Sequence, residues 1–394
     1  MPHTTDVTRR LVLEGVLGTT AIGIAAALRP TPGVAEPWFG DGGRLGDLGM
    51  KLTAEQRAAG ASFLERHVST DVHCHPGRFF LAHLTEQTDT TRGFGEPFVE
   101  RSIEDLNAGN VSAALFSCIS DVKITEMTTA GLHAVREFRS GEAFADYGRQ
   151  LRELKSLSAS SGLTRGSDPS DIARAHRQHK TAAVFAVEGG DFIEDRLDRI
   201  HDAFSSGVRA ITIVHYHVNQ IGDIQTQSAV HGGLTDLGKA IVREMNNAGI
   251  IVDLAHATFA TTKGVLEVSS RPVMLSHSNV ATPRVSHPRL ISSEHAKAIA
   301  ANGGIIGAWP AGIGQYTFSD YIESIQRLAD IVGVEHVAIG TDMDANLRPV
   351  IRNYRDWGLI PAALLARGMH ENEVAAIMGQ NFSRVFEESV RRRG

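Results

Sequence analysis

Short apolar, β-branched runs alternate with longer stretches of helical period along most of the chain. Eight such runs stand out: 67–73 (HVSTDVH), 111–119 (VSAALFSCI), 181–189 (TAAVFAVEG), 208–216 (VRAITIVHY), 249–256 (GIIVDLAH), 271–278 (RPVMLSHS), 303–310 (GGIIGAWP) and 336–343 (HVAIGTDM). Helical patterns lie between them, for example 234–249 and 319–333, and 371–392 reads as one or two closing helices. Thr235 or Asp236 is placed to cap the helix at 234–249, and Gly249 to end it. Eight strand–helix alternations predict an α/β chain folded as a single (β/α)8 TIM barrel. The rival is a doubly wound open sheet, which the missing Gly-rich phosphate fingerprint after the first strand disfavours. Residues 120–180 carry two helical patterns and are expected to pack as an insertion beside the barrel mouth.

Composition narrows the chemistry. The formal net charge is −6 and no long basic run appears, so nucleic acid is not an expected partner. Cys74 and Cys118 are the only cysteines, which excludes a disulfide scaffold and a thiolate zinc site. Any metal must rest on carboxylates and on some of the 18 histidines.

Residues 1–35 have the layout of an export signal: Arg9-Arg10, a mildly apolar run from Leu11 to Leu28, and small residues ending near Ala35. The paired arginines resemble a twin-arginine signal, although Glu14 sits where that pattern often has Lys. The expectation is a cleaved signal at 1–35, a hydrolase domain at 36–394, and a periplasmic or secreted protein with no membrane span after cleavage. An N-terminal amphipathic helix or membrane anchor is the alternative.

A barrel carries its chemistry at the C-terminal ends of its strands. Here His73 and His75 close the first run, Glu188 the third, His215 the fourth, His256 the fifth, His277 the sixth, and Asp342 and Asp344 the eighth. A lone histidine in such a place is more often structural than a ligand. Six of eight ends aimed at one mouth is a different matter, and four imidazoles with a carboxylate suit zinc or a similar borderline metal. Residues two apart on a strand share a face, so His73 and His75 aim together while Cys74 points away. Plainer roles are available for the rest: Asp344 as a loop brace, His217 as a supporting partner or a surface residue, Asn219 and Asp223 as loop residues, and Cys118 as core. His83, His231 and His287 have no assigned role.

The ordered motifs DVHCH, VEGGD, ITIVHYHVNQIGD, GLTDLGKAIVREMNNAGIIVDLAHAT, LSHSN, GTDMD and NFSRVF resemble the membrane (renal) dipeptidase family of the metal-dependent amidohydrolase superfamily, from about residue 67 to 388. The resemblance implies a (β/α)8 barrel and a zinc-dependent dipeptidase, which hydrolyses the amide bond of dipeptides with a metal-bound hydroxide. Carried over by position, it implies His73 on a first metal, Glu188 bridging two metals, and His256 and His277 on the second. His215 would contact substrate and the developing oxyanion. Arg289 would grip the substrate carboxylate, with Arg284 as a rival, and Asp342 would handle the proton.

His75 departs from the family, which has Asp there. The wider superfamily often uses His-x-His, so His75 stays in the ligand set. Glu188 is then the one carboxylate among the assigned ligands, and with one negative charge fewer at least one metal should bind more weakly. Two Zn2+ per chain are expected, with the occupancy of one site left open. A small dipeptide is the expected partner, and a homodimer is open. Two other functions stay in view: an amidohydrolase of another small amide, N-acyl amino acid or lactone, and a non-catalytic barrel with a degenerate metal site.

Overall fold

The computed structural model describes residues 47–128, 131–160 and 162–391. The export signal expected at 1–35 lies outside the described residues.

Each of the eight apolar runs contains a strand: β1 (Thr70–Cys74), β2 (Ala113–Ile119), β3 (Ala182–Glu188), β4 (Val208–Thr212), β5 (Ile251–Asp253), β6 (Met274–Ser278), β7 (Ile305–Ala308) and β8 (Val337–Ile339). Every pairing among them is parallel, in the order β2-β1-β8-β7-β6-β5-β4-β3. β3 then pairs back onto β2, from Ala113↔Ala182 to Ile119↔Glu188, and closes the barrel. The open-sheet alternative is thereby excluded.

Burial explains why these runs read as continuously apolar. Every strand residue is buried, because one face fills the barrel and the other meets the surrounding helices. Val72, Leu115, Val184, Ile251, Met274 and Ile305 belong to the inner cluster, while Phe116, Phe185, Val252 and Leu275 pack in the outer one. The helix Asn381–Val390 adds Phe382, Val385 and Phe386 to the inner cluster. Asn381 donates to the carbonyls of Val334 and Val337 at 2.7 and 2.8 Å. Those carbonyls lie at the start of β8, so this helix stops the end of the barrel opposite the strand C-termini.

Two irregularities in the ladder fall beside histidines. The β1–β2 register shifts between Asp71 and Cys74, across His73. The β6–β7 register shifts between Ile306 and Ala308, opposite Ser276 and His277. Bulges of this kind re-aim side chains. The second one crowds the Ser276 carbonyl against Gly307 and Gly340, where an added Cβ would lie 1.8 Å from its oxygen.

Residues 120–180 hold the two expected helices, Glu142–Ser160 and Pro169–Arg177. The second is not an insertion, for it packs on β2 and β3 as an ordinary crossover. An antiparallel hairpin, Thr125–Thr128 with Gly131–Ala134, precedes them and was not predicted. Its strands are short and partly exposed, so they lack an apolar run. The Ala134 N–H donates to Tyr216 O at 3.2 Å, which ties the hairpin to the loop after β4. Thr235, not Asp236, caps the helix Asp236–Ala248 by accepting from the Gly238 N–H at 2.9 Å, and Gly249 ends it at φ +85°.

Candidate active site

His73 and His277 lie within β1 and β6, Glu188 closes β3, and His75 follows β1 directly. His215, His256 and Asp342 sit three residues beyond β4, β5 and β8, not at the strand ends. The chain stays buried after the ladder stops, which is why the apolar runs read longer than the strands. His256 and Asp342 take left-handed backbone angles, φ +68° and +54°. Such angles are uncommon for residues other than glycine and cost about 1 kcal/mol or more each.

Buried carboxylates beneath these turns hold them in place. Asp253 accepts from the N–H groups of Ser276 at 2.8 Å and Ala255 at 3.2 Å, and from the Thr212 hydroxyl at 2.5 Å. Asp71 accepts from the N–H groups of Thr341 at 2.9 Å and His73 at 3.2 Å, and from the Tyr354 hydroxyl at 2.8 Å.

The Glu188 carboxylate is the centre of the site. Its Oε1 lies 3.4 Å from His73 Nε2, 3.1 Å from His256 Nε2 and 3.6 Å from His277 Nε2. Its Oε2 lies 3.3 Å from His75 Nε2 and 3.4 Å from His215 Nε2. The Nε2 atoms of His73 and His75 are 3.2 Å apart, as are those of His256 and His277, and His75 Nε2 is 3.3 Å from Asp342 Oδ1. All these residues are buried.

This donor set fits metal ions. Four donors about 2.1 Å from a tetrahedral dication stand ~3.4 Å apart. The contacts above run from 3.1 to 3.6 Å. Three overlapping groups keep their ligand atoms within 4.8 Å: His73–Glu188–His277, His73–His75–Asp342 and Glu188–His215–His256.

The charge states agree with ligation for most of the set. Burial, with Arg289 nearby, holds His256 well below the ordinary imidazole pKa, and burial with His73 does the same for His277. Both therefore stay neutral, the form that binds metal. Burial opposes ionisation of Glu188, yet His215 and His73 hold it well below the usual carboxylate range. His75 differs. Burial opposes its charge, but contacts with Asp342 and Glu188 push its pKa up to about 10, so a cation bound there must displace a proton.

Supporting bonds fix the rings. His75 Nδ1 donates to Ser117 O at 2.7 Å, which leaves Nε2 to face Glu188. His215 Nδ1 lies 2.6 Å from Asp121 Oδ1, whose other oxygen accepts from the Tyr216 N–H at 2.9 Å. Burial opposes charge on His215, but Asp121 and Glu188 raise its pKa above the ordinary value.

Arg289 is 2% exposed. One terminal nitrogen lies 3.1 Å from His256 Nε2, the other donates to Gln225 Oε1 at 2.5 Å, and Nε has no hydrogen-bond partner among the described residues. The guanidinium carbon sits 5.2 Å from the Trp309 ring centroid. No carboxylate pairs with Arg289 among the described residues. Arg284 lies exposed on the turn closed by Thr282 and Val285.

The remaining candidates have local duties. Asp344 accepts from the Gly77 N–H at 2.6 Å and the Ser102 hydroxyl at 2.7 Å, as a loop brace. His217 is buried between Asp191 at 2.6 Å and Glu137 at 3.1 Å, outside the Glu188 cluster. Asp223 gathers the N–H groups of Val230, His231 and Gly233. His287 Nδ1 accepts from the Arg289 N–H at 3.1 Å, while His231 Nε2 lies 3.0 Å from Asn219 O. His83 is exposed in its side chain and lies 3.6 Å from Glu153. Cys74 Sγ points away from the site, 3.3 Å from Leu115 O, and Cys118 is core. The sequence reading did not name Asp71, Asp121, Asp191, Asp253 or Gln225. Asp71, Asp191 and Asp253 fall inside the quoted motifs, and Asp121 follows the β2 run almost directly, but no feature of the sequence assigned them a role.

A closed parallel barrel with this imidazole–carboxylate cluster defines a class, the metal-dependent hydrolases built on TIM barrels. The profile of the membrane dipeptidase family (peptidase family M19) matches residues 58–393, and the chain belongs to that family. It is an enzyme of the metallodipeptidase kind. The dipeptidase verJ of Clonostachys rogersoniana is 28% identical over 323 residues, covering 78% of this chain and 81% of that one. Among solved structures, the probable dipeptidase PvdM from Pseudomonas aeruginosa aligns with a TM-score of 0.70 at 18% identity, covering 86% of this chain and 99% of that one. A metallopeptidase from Rhodobacter sphaeroides, liganded with a phosphinate mimic of the dipeptide L-Ala-D-Ala, aligns with a TM-score of 0.62 at 19% identity, covering 82% and 99%. At such identities the structural likeness speaks for the fold. No helix among the described residues is long and apolar enough to cross a membrane.

Proposed function

We propose that this chain hydrolyses the amide bond of dipeptides with two zinc ions held by His73, His75, Glu188, His256 and His277. The observation that carries the reading is the convergence of five imidazole nitrogens within 3.6 Å of the one Glu188 carboxylate. A donor set this rich in imidazole favours zinc over magnesium or calcium. When bound, the ions would polarise the scissile carbonyl and acidify a water molecule.

The chain's own residues supply the rest. Arg289, buried and without a carboxylate partner among the described residues, would take the substrate's C-terminal carboxylate as a two-pronged fork. Its contact with His256 at 3.1 Å leaves little length between that carboxylate and the reacting carbonyl. This suits a substrate with a single residue after the scissile bond, as a dipeptide has. His215, anchored through Nδ1 on Asp121, would donate from Nε2 to the oxyanion as charge builds. Asp342 would take a proton from water and return it to the leaving amine. We further propose that residues 1–35 direct export and are cleaved. Export that persists after Arg9 and Arg10 are both replaced by Lys would contradict the twin-arginine route.

Turnover of L,L- and L,D-dipeptides, N-acyl amino acids and lactones tests the activity. Dipeptides should be cleaved fastest, with activity lost to a chelator and restored by Zn2+. A clear preference for lactones or N-acyl amino acids, or full activity after metal removal, contradicts the reading.

A further inference from the structure

The first metal corner is short of negative charge if His73, His75 and Glu188 are its whole protein ligand set. One carboxylate would then serve two dications in a buried site, where uncompensated charge is costly. Asp342 stands beside this corner. Its Oδ1 is 3.3 Å from His75 Nε2, the same separation that His75 keeps from Glu188. His73, His75 and Asp342 by themselves form a group with ligand atoms within 4.8 Å. The Asp342 N–H donates to His73 O at 2.8 Å, and the next residue back, Thr341, is pinned to Asp71 on β1. The left-handed angle of Asp342, φ +54°, is thus held by the strand that carries His73 and leads directly into His75.

Resting on the two-metal reading, we infer that Asp342 is itself a ligand of the first metal. It supplies from the β8 loop the carboxylate that strand β1 lacks because residue 75 is His. One of its oxygens ligates and the other remains for proton transfer. His75 and Asp342 are therefore coupled: the need for a carboxylate at 342 depends on the imidazole at 75.

The test is Zn2+ equilibrium dialysis with elemental analysis on the full chain, with Co2+ visible spectra as a second readout. Wild type, Asp342→Asn, His75→Asp and the double variant are compared. Wild type should hold two Zn2+. Asp342→Asn should bind one normally and the other at least about tenfold more weakly, with an altered Co2+ spectrum. Adding His75→Asp should restore the second ion. If Asp342→Asn loses hydrolysis but keeps both ions within about tenfold of wild-type affinity, Asp342 only moves protons. That overturns this inference and leaves the dipeptidase reading standing. A wild type with no stoichiometric metal overturns both. Should Asp342→Asn fail to fold, His75→Asp alone decides. A gain in Zn2+ affinity below about tenfold is expected; a larger gain shows that the wild-type site had no second carboxylate.

Discussion

Removing the guanidinium of Arg289 separates substrate binding from the metal chemistry. In Arg289→Ala the substrate carboxylate loses two charge-assisted hydrogen bonds, worth ~1.5–3 kcal/mol each. At ~1.4 kcal/mol per factor of ten, kcat/KM on dipeptides should fall by roughly 10²–10⁴. The change has side effects, because Arg289 also helps depress the His256 pKa and donates to Gln225. Those effects act on every substrate alike. The discriminating assay is therefore a ratio: kcat/KM for a dipeptide against that for the same dipeptide with a C-terminal amide, followed by release of the free amino acid. Wild type should prefer the carboxylate strongly, and the variant should lose most of that preference. Arg289→Lys keeps the charge without the fork and should fall between them. A variant that loses both activities equally and keeps the wild-type ratio would refute the carboxylate role.

Three further outcomes follow from particular contacts. Asp121→Asn removes the anion 2.6 Å from His215 Nδ1, so kcat should fall roughly 10–100-fold with the metal content unchanged; loss of metal would contradict the separation of these roles. Burial holds the His295 pKa at about 4, so the folded state binds fewer protons than the unfolded state and stability drops as pH falls from about 6.5 to about 4. The penalty reaches about 3 kcal/mol, and His295→Gln should remove most of it; denaturation midpoints whose pH dependence matches wild type would contradict this. Gly307→Ala sets a Cβ 1.8 Å from Ser276 O inside the barrel and should cost about 3 kcal/mol, and an unchanged melting temperature would count against that crowding.

The barrel was legible because parallel strands buried on both faces leave unbroken apolar runs, and six of the eight runs end in or beside His, Glu or Asp. Glu188 and His277 could be placed directly, since they fall within their strands. His215, His256 and Asp342 could be named but not positioned. Their chain leaves the ladder, and two of them turn through left-handed angles with no glycine to announce it. Asp71 and Asp253 were unreadable as functional supports. Each sits inside an apolar run, and the hydrogen bonds that define its duty come from residues far along the chain, such as Thr341 and Tyr354 for Asp71. The choice between Arg284 and Arg289 also needed three dimensions. The two are five residues apart in one loop, yet one is exposed and the other is buried against His256. The hairpin after β2 escaped because its half-exposed residues carry no period.

The most direct test of the account is zinc content per chain, measured together with turnover of L,L- and L,D-dipeptides on the same preparation. Two zinc ions per chain, with dipeptide hydrolysis that rises and falls with their occupancy, is the predicted result. A protein without stoichiometric metal, or one fully loaded with zinc that cleaves no dipeptide, would contradict the central claim.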